Sequence, residues 1–157
     1  MSRSALSVPT WVVVTTFLLS LIGLGLAIDL TIAHYEGAQI LACNGSGVVN
    51  CTKVTTSAQS HILGIPVALL GLANFVVLSA LNSPWGWRAH AYWLHVARFV
   101  IVIGSMCFVL WLLSAELLII GNICLYCTGV HIVTFALFVV MMRVGPTQLG
   151  WARSVTS

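Results

Sequence analysis

Residues 122–142 read NICLYCTGVHIVTFALFVVMM, an uncharged run that is long enough to cross a membrane as one helix. A hydrocarbon core about 30 Å thick needs about 20 apolar residues of α-helix. Three other stretches reach that length, so the sequence predicts four spans, at residues 10–30, 62–81, 93–113 and 122–142. The predicted fold is an all-α integral membrane protein, a four-transmembrane-helix bundle forming a single domain over residues 1–157.

The composition agrees with a membrane protein and excludes several other classes. Of 157 residues, 60% are hydrophobic and 6% are charged, whereas a soluble domain is about 45–50% apolar and about 25% charged. Six Lys or Arg and three Asp or Glu residues cannot cover a soluble surface, and a disordered chain would be poor in apolar residues. Without a basic run or patch, nucleic-acid binding is not expected.

The positions of the basic residues predict which side of the membrane each loop faces. Lys and Arg concentrate on the cytoplasmic side, and four arginines fall at the same side of the four spans: Arg3, Arg88, Arg143 and Arg153. Both termini are therefore predicted to be cytoplasmic, with the loop at residues 31–61 and the turn around Glu116 outside. Among the basic residues, Lys53 alone is predicted on the exterior side. Arg98, near the start of the third span, is expected to snorkel back to the cytoplasmic interface.

This topology sorts the five cysteines. Cys43 and Cys51 lie in the exterior loop, and Cys124 and Cys127 lie at the outer end of the fourth span. All four are thus predicted on the oxidising side of the membrane, where disulfides persist. Cys107 falls in the middle of the third span and is expected to be a small buried side chain.

Each pair alone leaves alternatives open. Cys124-Leu-Tyr-Cys127 puts two sulfurs one turn apart at a helix start, which suits a redox or a structural disulfide, or a metal site that includes His131. Zinc needs a fourth ligand, so no metal is assigned. Cys43 and Cys51 alone suit a structural loop disulfide. Together, a water-facing pair and a membrane-embedded pair suggest thiol–disulfide exchange that moves electrons into the membrane.

The motifs in this order resemble the vitamin K epoxide reductase family, and in particular its bacterial homologues. They are Cys43-x7-Cys51, Ser57 six residues later, Leu63-Gly64-Ile65-Pro66 and Cys124-Leu-Tyr-Cys127. Quinone-linked oxidases of the DsbB type are also four-helix proteins, but their Cys-x-x-Cys lies in the first exterior loop. The reversed order here favours the vitamin K epoxide reductase family.

The resemblance implies a quinone-dependent thiol–disulfide oxidoreductase. Cys43 and Cys51 would be the shuttle pair, Cys51 would attack Cys124, and Cys127 would then face a membrane quinone, menaquinone or ubiquinone. The resemblance also implies that Ser57 supports the quinone by hydrogen bonding.

His131 occupies a place where animal members of the family carry tyrosine. It lies one turn from Cys127 on the same helix face, and a polar side chain inside a span is a functional candidate. His131 is therefore expected to hydrogen-bond a quinone oxygen; an interhelical hydrogen bond is the alternative.

The resemblance further implies the setting of the enzyme. Many bacterial members carry a fused thioredoxin-like domain, whereas this sequence stops at Ser157, soon after the fourth predicted span. The expected partner is therefore a separate exported DsbA-like or thioredoxin-like protein. The active site is expected on the extracytoplasmic side of a bacterial inner membrane. Residues 32–40 and 54–63 are expected to form a lid over the bundle. The alternatives are a vitamin K quinone or epoxide reductase of the endoplasmic reticulum and a non-enzymatic tetraspan protein with a structural disulfide.

Overall fold

The computed structural model describes residues 8–43, 47–89 and 91–148. The helices are α1 (Thr10–Glu36), α2 (Cys51–Thr55), α3 (Val67–Asn82), α4 (Pro84–Arg88), α5 (Tyr92–Ser114) and α6 (Leu125–Gln148). A π-helical segment, Ala115–Ile120, continues α5, and short 3₁₀ turns cover Ala38–Ile40 and Ala58–Ser60. Two short strands, β1 (His61–Ile62) and β2 (Ile65–Pro66), pair as an antiparallel hairpin.

Among the described residues, three helices are long and apolar enough to cross a membrane: Thr10–Glu36, Tyr92–Ile120 and Leu125–Pro146. The second predicted span is shorter, because α3 begins at Val67 and has 16 residues, about 24 Å at the helical rise. The reason is the hairpin before it, in which Leu63 and Gly64 have φ of 51° and 82°. Left-handed residues cannot continue into a helix, so residues 62–66 form a turn.

The four long helices pack as a bundle in which α1 contacts α3 and α6, and α5 contacts α6 and α3. Helices α1 and α3 run antiparallel: Asn82 donates to Ser20 (2.9 Å) near one end, and Thr31 donates to the Ala68 carbonyl (3.4 Å) near the other. Gly23 permits their close approach, since a Cβ there would overlap the Phe75 ring. The apolar core between the helices includes Val12, Ala27, Phe75, Leu78, Val102, Leu137 and Met141.

Arg98 does not snorkel to an interface, contrary to the sequence-based expectation. Its side chain is 1% exposed, and its guanidinium lies 3.7 Å from the centroid of the Trp87 ring. It donates to the Leu81 carbonyl in the last turn of α3. A helix C-terminus and an aromatic face both attract a cation, so contacts inside the bundle replace water around the Arg98 guanidinium. Arg3 and Arg153, on which the predicted side of the termini depends, lie outside the described residues.

Cys107 also departs from expectation, because it is exposed rather than buried. It lies on a face of α5 that also exposes Val100, Leu110 and Trp111. An apolar helix face of this kind is stable against lipid tails without a protein neighbour.

Candidate functional site

The exterior loop is joined to the start of α6 by a short parallel bridge between Val49 and Ile123. The Ile123 N–H donates to the Val48 carbonyl at 2.8 Å, and the Asn50 N–H donates to the Ile123 carbonyl at 3.1 Å. Parallel pairing advances both chains in the same direction. Cys51 follows the bridge by two residues and Cys124 by one, so the bridge brings the two cysteines into the same region of the fold.

The side chain of Asn122 reinforces this bridge. Its Nδ2 donates to the carbonyls of Gly47 and Val48 at 3.1 and 3.2 Å, and the side chain is buried. Sequence reasoning missed this residue. The available signal was a polar side chain at the end of an apolar run, two residues before Cys124.

Cys43 and Cys51 form a disulfide with a Cα–Cα distance of 5.6 Å. The Cys51 N–H also donates to the Cys43 carbonyl at 3.1 Å. Cys51 begins the short helix α2, whose N-terminus is capped by the Asn50 side chain accepting from the Lys53 N–H at 2.9 Å. The helix therefore fixes the backbone of one partner while the preceding loop carries the other.

Cys124 and Cys127 are free thiols in this structure. The Cys127 N–H donates to the Cys124 sulfur at 3.3 Å. The pKa of Cys124 is lowered, first by a hydrogen bond from the Cys127 thiol, and this effect outweighs burial and the nearby Glu116 charge. Cys124, just before α6, is thus prepared to act as a thiolate, the reactive form in disulfide exchange.

The two pairs meet in one apolar cluster. Cys51 and Cys124 are both 0% exposed, and Cys43 is buried with them among Leu30, Ala33, Leu41 and Val54. Cys127 packs against the edge of this cluster. Exchange between the pairs would therefore occur away from water and from competing thiols.

A cavity of about 440 Å³ opens beside this cluster. Its wall is mainly apolar and comes from α1, α3, α5, the π segment and α6, with residues 54–60 on one side. Part of the expected lid is thereby confirmed: Val54 is buried, whereas Ile32 and Ile40 are exposed. Among the four paired cysteines, Cys127 is the one that lines the cavity.

His131 and Ser57 both line the cavity. His131 is 8% exposed, and its buried Nδ1 has no hydrogen-bond partner among the described residues. The Ser57 hydroxyl donates to the Val54 carbonyl at 2.7 Å and does not cap the 3₁₀ turn that follows. The Ser57 hydroxyl can thus still accept a hydrogen bond. The Nδ1 atom of His131 is free to donate or accept one.

Three further polar residues of the cavity wall were not assigned to a site from the sequence. Asn74 accepts a hydrogen bond from Ser105 at 3.0 Å, and both line the cavity. Glu116 was expected in a turn on the exterior side; instead it lies in the π segment, is 4% exposed and lines the cavity. The chain turns instead at Gly121, whose φ of 66° ends the segment.

The metal alternative for Cys124, Cys127 and His131 gains no geometric support. Within residues 8–43, 47–89 and 91–148, no group of three His, Cys, Asp or Glu side chains could hold a metal ion. Cys124 is enclosed in the apolar cluster, whereas His131 lines the cavity.

The family model of the vitamin K epoxide reductase family matches residues 14–142. The match covers most of the chain and includes both cysteine pairs, the loop between α1 and α3, and the cavity. This chain belongs to the vitamin K epoxide reductase family. Family members are oxidoreductases that generally use a quinone. Together with its three long apolar helices, membership makes this vitamin K epoxide reductase family protein a membrane redox enzyme.

Proposed function

We propose that this protein oxidises a separate exported DsbA-like or thioredoxin-like protein and passes the electrons to a membrane quinone. The route runs through Cys43 and Cys51 and then through Cys124 and Cys127. The result is disulfide formation in exported proteins. The observation that supports this order is the bridge that brings Cys51 beside Cys124, with Cys127 on the cavity wall.

The loop disulfide accepts electrons in the first step. Cys43 is 5% exposed, so the loop that carries it must move to admit the partner. A partner thiolate then attacks the Cys43 sulfur, a mixed disulfide forms, and Cys51 leaves as a thiolate; the second partner thiol releases Cys43. Because the backbone of Cys51 is held by α2 and the bridge, the freed thiolate stays beside Cys124.

The second step passes the electron pair inward. When Cys124 and Cys127 are disulfide-bonded, the Cys51 thiolate attacks the Cys124 sulfur and Cys127 leaves as a thiolate. Cys43 then attacks Cys51, restoring the loop disulfide and leaving Cys124 reduced. This step would leave an oxidised loop pair and a reduced inner pair, which is compatible with the Cys43–Cys51 disulfide and the free Cys124 and Cys127.

The cavity fits the head group of a quinone. Its volume of about 440 Å³ is in the range of small-molecule sites, which are mostly apolar with a few polar groups. His131, with its unpartnered Nδ1, and Asn74 and Ser57 are the residues that would hold the ring oxygens. A bound quinone would take up the two electrons and two protons of the inner pair. Menaquinone and ubiquinone both have this chemistry.

The proposed setting is a bacterial inner membrane with the four cysteines on the outer side and α3 as a fourth span. Helix α3 is apolar and packs along α1. The hairpin that precedes α3 would extend this span toward the outer surface. Leu63 at the hairpin tip is 98% exposed, so it is free to contact lipid head groups and tails. Arg88 and Arg143 are exposed near the C-terminal ends of α4 and α6, the ends proposed to face the cytoplasm, as the positive-inside rule expects.

The proposed reaction is tested with purified protein in liposomes, a reduced thioredoxin-like protein and ubiquinone or menaquinone. Quinone absorbance should fall as the partner's thiols are lost, one quinone for each partner disulfide. Cys127→Ser should stop quinone loss, and Cys107→Ser, which changes a cysteine outside the two pairs, should not. The proposal is wrong if the wild-type protein consumes no quinone with either acceptor.

A further inference from the structure

Glu116 lies in an unusual segment of backbone. The π-helical segment Ala115–Ile120 follows α5 directly, and the Gly121 N–H donates to the Glu116 carbonyl at 2.9 Å, a separation of five residues. π segments are rare and occur frequently at functional sites, because the wider turn changes which side chains face inward. Here the wider turn accompanies a carboxyl group that lines the cavity.

The carboxyl group of Glu116 is buried against the inner cysteine pair. Glu116 and Cys127 line the same cavity, and the Cys127 thiol interacts by hydrogen bonding with both the Glu116 carboxyl group and the Cys124 sulfur. The Oε2 atom of Glu116 has no hydrogen-bond partner among the described residues. Burying a carboxylate with so few partners is costly, so a structural role alone does not explain an acid at this position.

The other titratable groups near Glu116 offer no fixed positive charge. Cys124 and Cys127 face it from the start of α6, while His131 and His34 share the cavity wall from α6 and α1. The described wall contains no Lys or Arg. Within the described wall, the Cys127 thiol is therefore the group that can donate a proton to the carboxylate.

We propose that Glu116 takes the proton from the Cys127 thiol and returns it on the quinone side of the cavity. The inference deepens the proposed function and rests on it. Every thiol that reaches the disulfide must lose its proton, and Cys127 is half-buried on a mainly apolar wall that offers few bases. A buried carboxylate in contact with the thiol supplies the missing base.

The proton and electron balance is as follows. The S–H bond of Cys127 breaks and an O–H bond forms on Glu116, leaving a thiolate. Cys127 gives up an electron pair to the quinone, and Cys124 closes the S–S bond and loses its own proton. Glu116 returns its proton to one quinone oxygen, and the proton lost by Cys124 goes to the other. Two thiols and one quinone thus become one disulfide and one quinol, with Glu116 unchanged.

The interaction of the Glu116 carboxyl group with the Cys127 proton, which the disulfide form lacks, can be followed without a quinone and without altering Glu116. The chain has two glutamates, Glu36 and Glu116, and Glu36 is exposed at the end of α1. In a Glu36→Gln protein labelled with ¹³C at the glutamate side-chain carboxyl, only Glu116 carries the labelled group. The infrared difference spectrum between the reduced and the disulfide form of the inner pair should then contain a ¹³C-shifted carboxyl band.

A silent spectrum in this quinone-free protein overturns the proposal, because Glu116 would then not sense the Cys127 proton. A matched labelled protein that also carries Cys127→Ala should lose the redox-dependent band. If the band persists without Cys127, the proton partner is another group, and the proposal is equally wrong.

Kinetics of the pre-reduced enzyme give the second test. Glu116→Gln keeps the size and the hydrogen-bond acceptor but removes the base, so quinone reduction in a single turnover should slow about 100-fold. Exchange between the two cysteine pairs should keep its wild-type rate, as should quinone reduction by Glu36→Gln. Glu116→Asp, a shorter base, should recover part of the rate. Wild-type quinone reduction by Glu116→Gln would overturn the proposal and leave the proposed function intact, whereas absent quinone reduction in wild type would overturn the proposed function.

Discussion

Asn122 provides a direct test of the bridge that brings the two cysteine pairs together. Asn122→Ala removes two hydrogen bonds to the carbonyls of Gly47 and Val48, each with a net value of about 0.5–1.5 kcal/mol. The two main-chain bonds of Ile123 remain. The loop should therefore dock about 1–3 kcal/mol less tightly, which corresponds to about 5- to 150-fold in the docked population when docking is marginal.

The assay is single-turnover electron transfer from Cys51 to Cys124. Protein with both pairs oxidised is mixed with a reduced thioredoxin-like partner, quenched in acid, and analysed by thiol labelling and mass spectrometry. Asn122→Ala should release the Cys127 thiol at least about fivefold more slowly. Quinone reduction by the pre-reduced variant should be unchanged, because Cys127 and the cavity lie outside the bridge.

Asn82→Ala is the matched control. Asn82 is also buried and donates to Ser20 between α1 and α3, but it belongs to the other end of the bundle. The control should lower thermal stability and leave transfer between the pairs at the wild-type rate. The reasoning is refuted if Asn122→Ala transfers electrons as fast as wild type.

Three other predictions concern single side chains. His131→Phe should slow quinone reduction and leave exchange between the cysteine pairs intact; equal quinone kinetics would remove His131 from the site. Cys127→Ala removes the hydrogen bond that lowers the pKa of Cys124, so this pKa should rise and the ultraviolet thiolate absorbance at neutral pH should fall; an unchanged titration would contradict the assignment. Gly23→Ala should destabilise the bundle by about 1–3 kcal/mol, because the new Cβ overlaps Phe75; an unchanged thermal midpoint would argue against this packing.

Several parts of the fold were predictable because they depend on local sequence. Apolar length sufficed for α1, α5 and α6, whose observed bounds lie within a few residues of the predictions except at the C-terminal ends of α1 and α6, which extend to Glu36 and Gln148 rather than to residues 30 and 142. The start of α3 was not predicted, because the apolar run from residue 62 conceals a turn at Leu63 and Gly64. A hydropathy pattern does not report the sign of φ.

The candidate site was predictable where its residues form a motif and unpredictable where they meet through tertiary contacts. Cys43 and Cys51, and Cys124 and Cys127, have recognisable spacings. The bridge through Asn122 joins segments about 75 residues apart, so no local pattern indicates it.

Glu116 was placed in the wrong environment for a different reason. An acid near the end of a predicted span normally marks the membrane interface. The α-helical period predicts which way its side chain points only if the segment is an α-helix throughout. The π segment changes that period, so burial of Glu116 beside Cys127 could be seen only in the structure.

The most direct test of the relay is to trap its central intermediate. In a protein carrying both Cys43→Ser and Cys127→Ser, Cys51 and Cys124 are left without their usual partners, and mild oxidation followed by peptide mapping should find a Cys51–Cys124 disulfide in most molecules. Because the bridge and the shared apolar cluster bring Cys51 and Cys124 together within one chain, the bond should form within each chain and independently of protein concentration. If Cys51 and Cys124 remain free thiols, or pair only between molecules, the two cysteine pairs do not form the relay described here.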